Sequence, residues 1–153
     1  IVNYSNSQRA GAILYRTASL FGGYEQIMKP HTPYYRAVRE LFGRDCLHGM
    51  AHITGGGIAG NLRRIIPEGL CARIDTGLIR ILPIFRYIKA QGKISDQEML
   101  RTFNMGVGFV TVVSQAQKAE VIKLISKSYD CYEIGHMEKG DKKVELTGHL
   151  NWL

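Results

Sequence analysis

One short run restricts this chain more than any other. Thr54-Gly55-Gly56-Gly57 follows a strand-like segment, residues 46–54, and precedes a helical stretch, residues 58–66, that Pro67 stops. Consecutive glycines let the backbone turn sharply and present several N–H groups on one side. A strand, a glycine run and a helix start in that order make a site for an anionic group. Thr54 adds a hydroxyl and Asn61 an amide. Arg63 and Arg64 follow one turn later, either adding charge or simply facing solvent. Two readings of the run stand side by side, phosphate binding and a plain tight turn, because motif matches alone have a substantial false-positive rate.

The same glycines contain a G-x-G-x-x-G pattern at Gly55, Gly57 and Gly60, with Asp75 at the end of the next strand. That pattern fits a dinucleotide fold only inside a regular series of parallel strands and long crossover helices. Pro67 cuts the helix too early, His48 and His52 sit on the presumed first strand, and no βαβαβ series follows. The dinucleotide reading is rejected. His52 is the most interesting titratable residue, either a phosphate contact or proton carrier, or a strand histidine bonded to backbone. His48 is expected to point the same way from the strand. His31, His136 and His149 show no partner spacing and receive no role.

The rest of the chain interleaves helices and strands. A helical face is expected over residues 9–21 and another from Thr32-Pro33, with Thr32 as cap and Tyr35, Val38, Leu41 and Phe42 inward. Residues 69–75 read as a strand. Pro83 opens a helix that Gly92 ends, and Ser95 with Glu98 forms a capping box for the next. Residues 107–113 form the clearest strand, and Ser114 caps a helix to residue 128. Residues 132–137 and 143–147 read as a closing pair of strands around Lys139-Gly140-Asp141. This order predicts an α+β fold, an α/β sandwich in which a mixed sheet of four to six strands carries packed helices.

A second glycine-bearing segment, RTFNMGVGFVTVV, has Gly106 and Gly108 at a strand start, where close backbone approach or a bulge is expected. Arg101, Thr102 and Asn104 precede it and either offer polar groups to a cleft or serve as surface charge and helix cap.

The net charge is +7, spread along the chain rather than held in a block. That suits a phosphorylated small molecule as well as a polymer; no nucleic acid is expected as partner. Three scattered cysteines argue against a disulfide framework and against structural zinc, and for a reducing cytoplasmic setting. No apolar run approaches the ~20 residues that span a bilayer, so no membrane is expected. The first residues read as the middle of a loop and begin at Ile1, so a fragment or processed product is expected.

Several segments together resemble one family. KPHTPYYRAVREL, HITGGGIAGNLRRIIPEGLCARID, PIFRYIKAQGKIS, EMLRTFNMGVGFVTVV and YEIGHMEKGDKKVELTG are similar, in this order, to the C-terminal domain of aminoimidazole ribonucleotide synthetases. At the start, Tyr4-Ser5-Asn6-Ser7 keeps only the Ser-Asn pair of the family pattern. The resemblance implies that residues 1–153 are a single C-terminal domain, partly ferredoxin-like, of a two-domain homodimeric enzyme. The other domain would hold most of the ATP site, with Mg2+ accompanying the ATP. The implied reaction converts formylglycinamidine ribonucleotide to aminoimidazole ribonucleotide in purine biosynthesis, releasing ADP and phosphate. The implied substrate or phosphate contacts are Thr54, Gly55, Gly56, Gly57 and Asn61. His52 is the catalytic candidate, and Ser5, Asn6, Arg101, Thr102 and Asn104 are supporting groups; no metal ligand is assigned. Two alternatives remain: another ATP-dependent member of the same superfamily, and a non-catalytic basic module that binds nucleic acid.

Overall fold

The structure is a computed structural model and describes residues 30–141 and 143–152. Ser5, Asn6 and the helix expected over residues 9–21 lie outside the described residues.

Five strands form, near the expected positions: β1 Leu47–His52, β2 Leu70–Asp75, β3 Phe109–Val113, β4 Gly135–Lys139 and β5 Lys143–Thr147. They make two sheets. β1 and β3 pair antiparallel as a ribbon, and β2 lies between β4 and β5 in a mixed sheet, antiparallel to β4 and parallel to β5. The expected closing pair is therefore corrected: β2 separates β4 from β5. Just past β4, beside the start of β2, the Gly140 N–H donates to the Gly69 carbonyl at 2.9 Å. Arg73 of β2 ties the three strands on their outer face by ion pairs to Glu138 of β4 and Glu145 of β5. These two partners raise the Arg73 pKa, chiefly through the hydrogen bond to Glu138.

The helices are short: α1 Tyr35–Val38, α2 Gly57–Leu62, α3 Pro83–Gly92, α4 Asp96–Thr102 and α5 Lys118–Ile125. The order β1-α2-β2-β3-α5-β4 is that of a ferredoxin-like unit, with α3 and α4 inserted before β3. Several helix ends differ from the sequence reading. Thr32 caps nothing: α1 begins after Tyr34, with no side-chain cap. Tyr34, not Tyr35, turns inward, because its ring packs on Phe109 and Tyr129 while Tyr35 is 65% exposed. Phe42 is exposed as well. The left-handed residue that ends α3 is Lys93 (φ 48), one past Gly92. Ser95 caps α4 by accepting from the Glu98 N–H at 3.2 Å, but the Glu98 carboxylate turns to Arg101 and Thr102 instead of closing the box. Ser114 makes no cap hydrogen bond.

Strand alternation lets the β1–β3 ribbon serve two cores. Met50, Phe109 and Val113 face one core, with Val38, Leu41, Val121 and Ile125 from α1, α5 and the 3-10 turn after α1. Ala51 and Val110 face the other, with Ile58, Leu62, Ile74, Met99 and Met105. At about 25 cal/mol per Å2 of apolar surface, each buried Ile, Leu or Met contributes roughly 1.5–3 kcal/mol. The second core lies directly beneath the glycine run and so fixes its position. Cys46, Cys71 and Cys131 are all free thiols; burial, and then Asp130, push the Cys131 pKa up. No helix among the described residues is long and apolar enough to cross a membrane.

Candidate functional site

The glycine run leaves β1 at its C-terminal end and turns into α2. Ile53 is fully buried and anchors the entry, its N–H donating to the Gly108 carbonyl at 2.9 Å. Gly57 closes the turn by donating to the Thr54 carbonyl at 3.2 Å. Gly56 (φ 97) and Gly57 (φ 66) are both left-handed, a conformation costing other residues about 1–2 kcal/mol each. Gly57 is also pressed against the C-terminal end of α4: a Cβ there would meet the Leu100 carbonyl oxygen within 2.0 Å. Gly55, by contrast, has open space around it. Thr54, Gly55 and Gly56 are exposed. Among the described residues, none of their three N–H groups donates to a main-chain carbonyl.

Asn61 sits under this turn and is 4% exposed. Its Nδ2 donates to the Gly57 carbonyl at 2.8 Å and lies 3.3 Å from the carbonyls of Thr54 and Gly55. The Thr54 hydroxyl donates to Asn61 Oδ1 at 3.5 Å. Asn61 therefore gathers the Thr54 and Gly55 carbonyls inward, which turns the Gly55 and Gly56 N–H groups, on the opposite edges of those planar trans peptides, outward. Its action on any ligand is through the shape of the turn. A six-residue α2 supplies little dipole, so the chemistry of the run rests on its amides.

The two glycine-bearing segments, far apart in sequence, meet here. Asn104 Nδ2 reaches the Ile53 carbonyl at 3.5 Å, and Asn104 Oδ1 accepts from the Gly106 N–H at 3.1 Å. These bonds shape a tight turn in which Met105 is left-handed (φ 57) and fully buried. Asn104 thus braces the loop. Arg101 and Thr102 instead engage Glu98 on the outside of α4, with Arg101 in a two-pronged pair at 2.8 and 3.0 Å. That pair, led by the Arg101 hydrogen bond, holds the Glu98 carboxyl below its usual range and raises the Arg101 pKa. Arg63 and Arg64 are exposed one turn beyond the run.

A third segment also arrives. Gly108 lacks a side chain where the Tyr34 ring lies: a Cβ would fall 1.8 Å from its hydroxyl. Next to Tyr34, His31 brings its Nε2 to 3.0 Å from Nε2 of His52. His52 is exposed at the end of β1, its ring near His31, Tyr34 and Phe109. The role-less His31 of the sequence is thus the direct neighbour of the catalytic candidate. No sequence signal could reveal it, because 21 positions separate the two. His48 falls where the β1–β3 register shifts, between Leu47 and Gly49, so the expected common direction with His52 has no regular alternation behind it. Asp75 caps the following 3-10 turn by accepting from the Gly77 N–H, and β1 and β2 lie in different sheets, both unlike a dinucleotide fold.

A cleft of 620 Å3 opens between β3 and the segment leading into β4, lined largely by apolar residues such as Leu62, Ile65, Val110 and Ile134. Thr54 to Gly57 do not line it. Its size alone carries no chemical argument.

Fold and site together define an α+β domain that displays a braced glycine turn on its surface. Residues 17–147 match the family described as AIR synthase related protein, C-terminal domain. The chain belongs to that family. Among curated relatives, a phosphoribosylformylglycinamidine cyclo-ligase of Pseudothermotoga lettingae is 42% identical over 121 residues, 78% of this chain and 36% of the relative. Another, of Carboxydothermus hydrogenoformans, is 41% identical over 124 residues, 80% of this chain and 36% of the relative. A third, of Geobacillus thermodenitrificans, is 38% identical over 125 residues, 81% of this chain and 36% of the relative. The chain thus spans little more than a third of the length of these relatives.

Proposed function

We propose that this chain is the C-terminal domain of a cytoplasmic phosphoribosylformylglycinamidine cyclo-ligase, acting in purine biosynthesis beside an ATP-binding domain in a homodimer. The names of its relatives support the activity. The observation that carries the site is the set of Thr54, Gly55 and Gly56 N–H groups with no main-chain partner among the described residues, with Asn61 holding the Thr54 and Gly55 carbonyls from beneath.

In the proposed reaction, ATP donates its terminal phosphoryl group to the formyl oxygen of formylglycinamidine ribonucleotide and leaves as ADP. The amidine nitrogen attacks the activated formyl carbon, the C–O bond to the phosphoryl-bearing oxygen breaks, and phosphate departs with closure of the imidazole ring. A proton leaves the attacking nitrogen. Phosphoryl transfer asks a protein for positioning and for donors aimed at phosphate oxygens. The amides of the run supply such donors without any reorganisation. The Thr54 hydroxyl lies at the rim of the same turn. In this reading His52, at the end of β1, takes the proton. Asn104 and Asn61 hold the two turns in register, and Arg101 and Thr102 keep the outer side of α4 in order.

Main-chain N–H donors suit phosphate oxygens, not a cation. Among the described residues no three His, Cys, Asp or Glu side chains cluster to hold a metal ion. Mg2+ accompanying ATP would rest on phosphate oxygens and the ATP-binding domain, and no step here depends on it.

Gly55→Asp tests the reading in the full-length polypeptide. Open space and an ordinary φ at Gly55 leave the fold intact, while the new carboxylate repels phosphate at the donors. Loss of one such donor site costs about 100- to 1,000-fold in turnover. A fall in kcat/KM of that order at unchanged Tm is expected. Wild-type kcat/KM in the aspartate variant would overturn the assignment.

A further inference from the structure

We propose that His31 and His52 form a two-imidazole site for a borderline divalent transition cation, with Cu2+ and Ni2+ the best-matched ions. The proposal does not rest on the cyclo-ligase reading, because it concerns binding and not turnover.

The geometry begins with the second ring nitrogen. His31 Nδ1 lies 3.0 Å from the Thr32 carbonyl oxygen. A carbonyl oxygen can only accept, so Nδ1 carries the hydrogen and Nε2 of the neutral ring holds a lone pair. That is the arrangement of metal-ligating histidines, which donate their other N–H to a carbonyl or carboxylate. The lone pair faces Nε2 of His52 at 3.0 Å, and the rings stand at 83° with centroids 4.8 Å apart. Without a metal, the His52 Nε2–H donates to His31. His52 Nδ1 has no hydrogen-bond partner among the described residues. The proton of His52 can therefore move to Nδ1 and into water contact, freeing the second lone pair with no net loss of charge.

The spacing and the ligand type then suit Cu2+ and Ni2+. With metal–imidazole bonds of about 2.0–2.1 Å, two nitrogens 3.0 Å apart subtend about 90° at the metal. That is the cis angle of square-planar and octahedral coordination, as Cu2+ and Ni2+ prefer. Cu2+ also heads the usual affinity order for imidazole nitrogen, while Mg2+ prefers oxygen ligands. The rings are also held: Tyr34 packs edge-on to His31 and to His52, and Phe109 lies beside His52 and Tyr34. His31 and His52 are both exposed, so water can complete the coordination.

The test is a Cu2+ titration of the chain followed by calorimetry and by electron paramagnetic resonance. The expected spectrum shows two bound imidazole nitrogens. Altering a group that only hydrogen-bonds to a ligating histidine costs about 10- to 100-fold in metal affinity, so H31Q and H52Q, which remove a ligand, should each weaken binding at least tenfold. H136Q, which alters an exposed histidine remote in sequence, should bind like the unaltered chain. Two outcomes overturn the proposal: H31Q and H52Q that titrate like the unaltered chain, or a spectrum with fewer than two imidazole nitrogens.

Discussion

Gly57→Ala probes the packing that holds the candidate site together. Alanine at φ 66 pays the left-handed penalty of about 1–2 kcal/mol. Its Cβ would lie 2.0 Å from the Leu100 carbonyl oxygen and 3.2 Å from that of Phe103. Both are main-chain atoms at the end of α4, so no side chain can swing aside. The loop and the helix must separate by more than an ångström, and forced overpacking costs a further ~1–3 kcal/mol. Together these predict a loss of about 2–5 kcal/mol, a large share of the ~5–15 kcal/mol that holds most domains folded. For a chain of this size each kcal/mol shifts Tm by about 2–4 °C, so a fall of roughly 5–15 °C is expected by calorimetry. Gly55→Ala is the control: its Cβ meets nothing within 4 Å, and its effect should stay within about 0.5 kcal/mol. Equal Tm values for Gly57→Ala and the unaltered chain, or equal losses in the two variants, would refute the close contact between loop and α4.

Two further outcomes follow from the same structure. Asn61→Asp replaces the buried donor with an oxygen that faces the carbonyls of Thr54, Gly55 and Gly57, at a cost of about 2–4 kcal/mol in urea unfolding. The new carboxyl is forced towards its neutral form in the fold, so this deficit should grow as pH rises from about 4 to 7; a deficit independent of pH would count against the inward-facing amide. Asp96 and Glu98 behave oppositely. The Lys89 hydrogen bond lowers the pKa of Asp96, followed in effect by the Trp152 hydrogen bond, and the Arg101 hydrogen bond lowers that of Glu98. Their contribution is therefore full above the unfolded values of 3.8 and 4.5 and is lost as pH falls through the depressed folded ones. Both carboxylates are substantially exposed, so the contribution is small and screened by salt. An Asp96→Asn, Glu98→Gln variant should lose the extra acid sensitivity that the unaltered chain shows in low salt between about pH 5 and pH 3. Parallel Tm curves for the two proteins would contradict these pairings.

Residue pattern alone revealed the strands at 46–54, 69–75 and 107–113 because their apolar runs and flanking glycines act within a few positions. Pro67 and Ser95 marked a helix end and a helix start for the same local reason. The pattern failed where the deciding contact was remote. Tyr34 and Tyr35 are adjacent and chemically alike, and only the space left by Gly108 selects which one turns inward. The hairpin expected of β4 and β5 gave way to β2, since pairing partners are chosen by burial across the whole sheet and not by turn length.

By itself the sequence determined the α+β class, the glycine turn and the identity of the segments that carry it. Tertiary structure alone decided that Asn61 faces inward, that Asn104 braces Ile53 from another segment, and that His31 stands beside His52. Local propensity acts over one or two turns of chain, whereas each of these contacts exists only because two separately folded segments are pressed together by the burial of shared apolar surface.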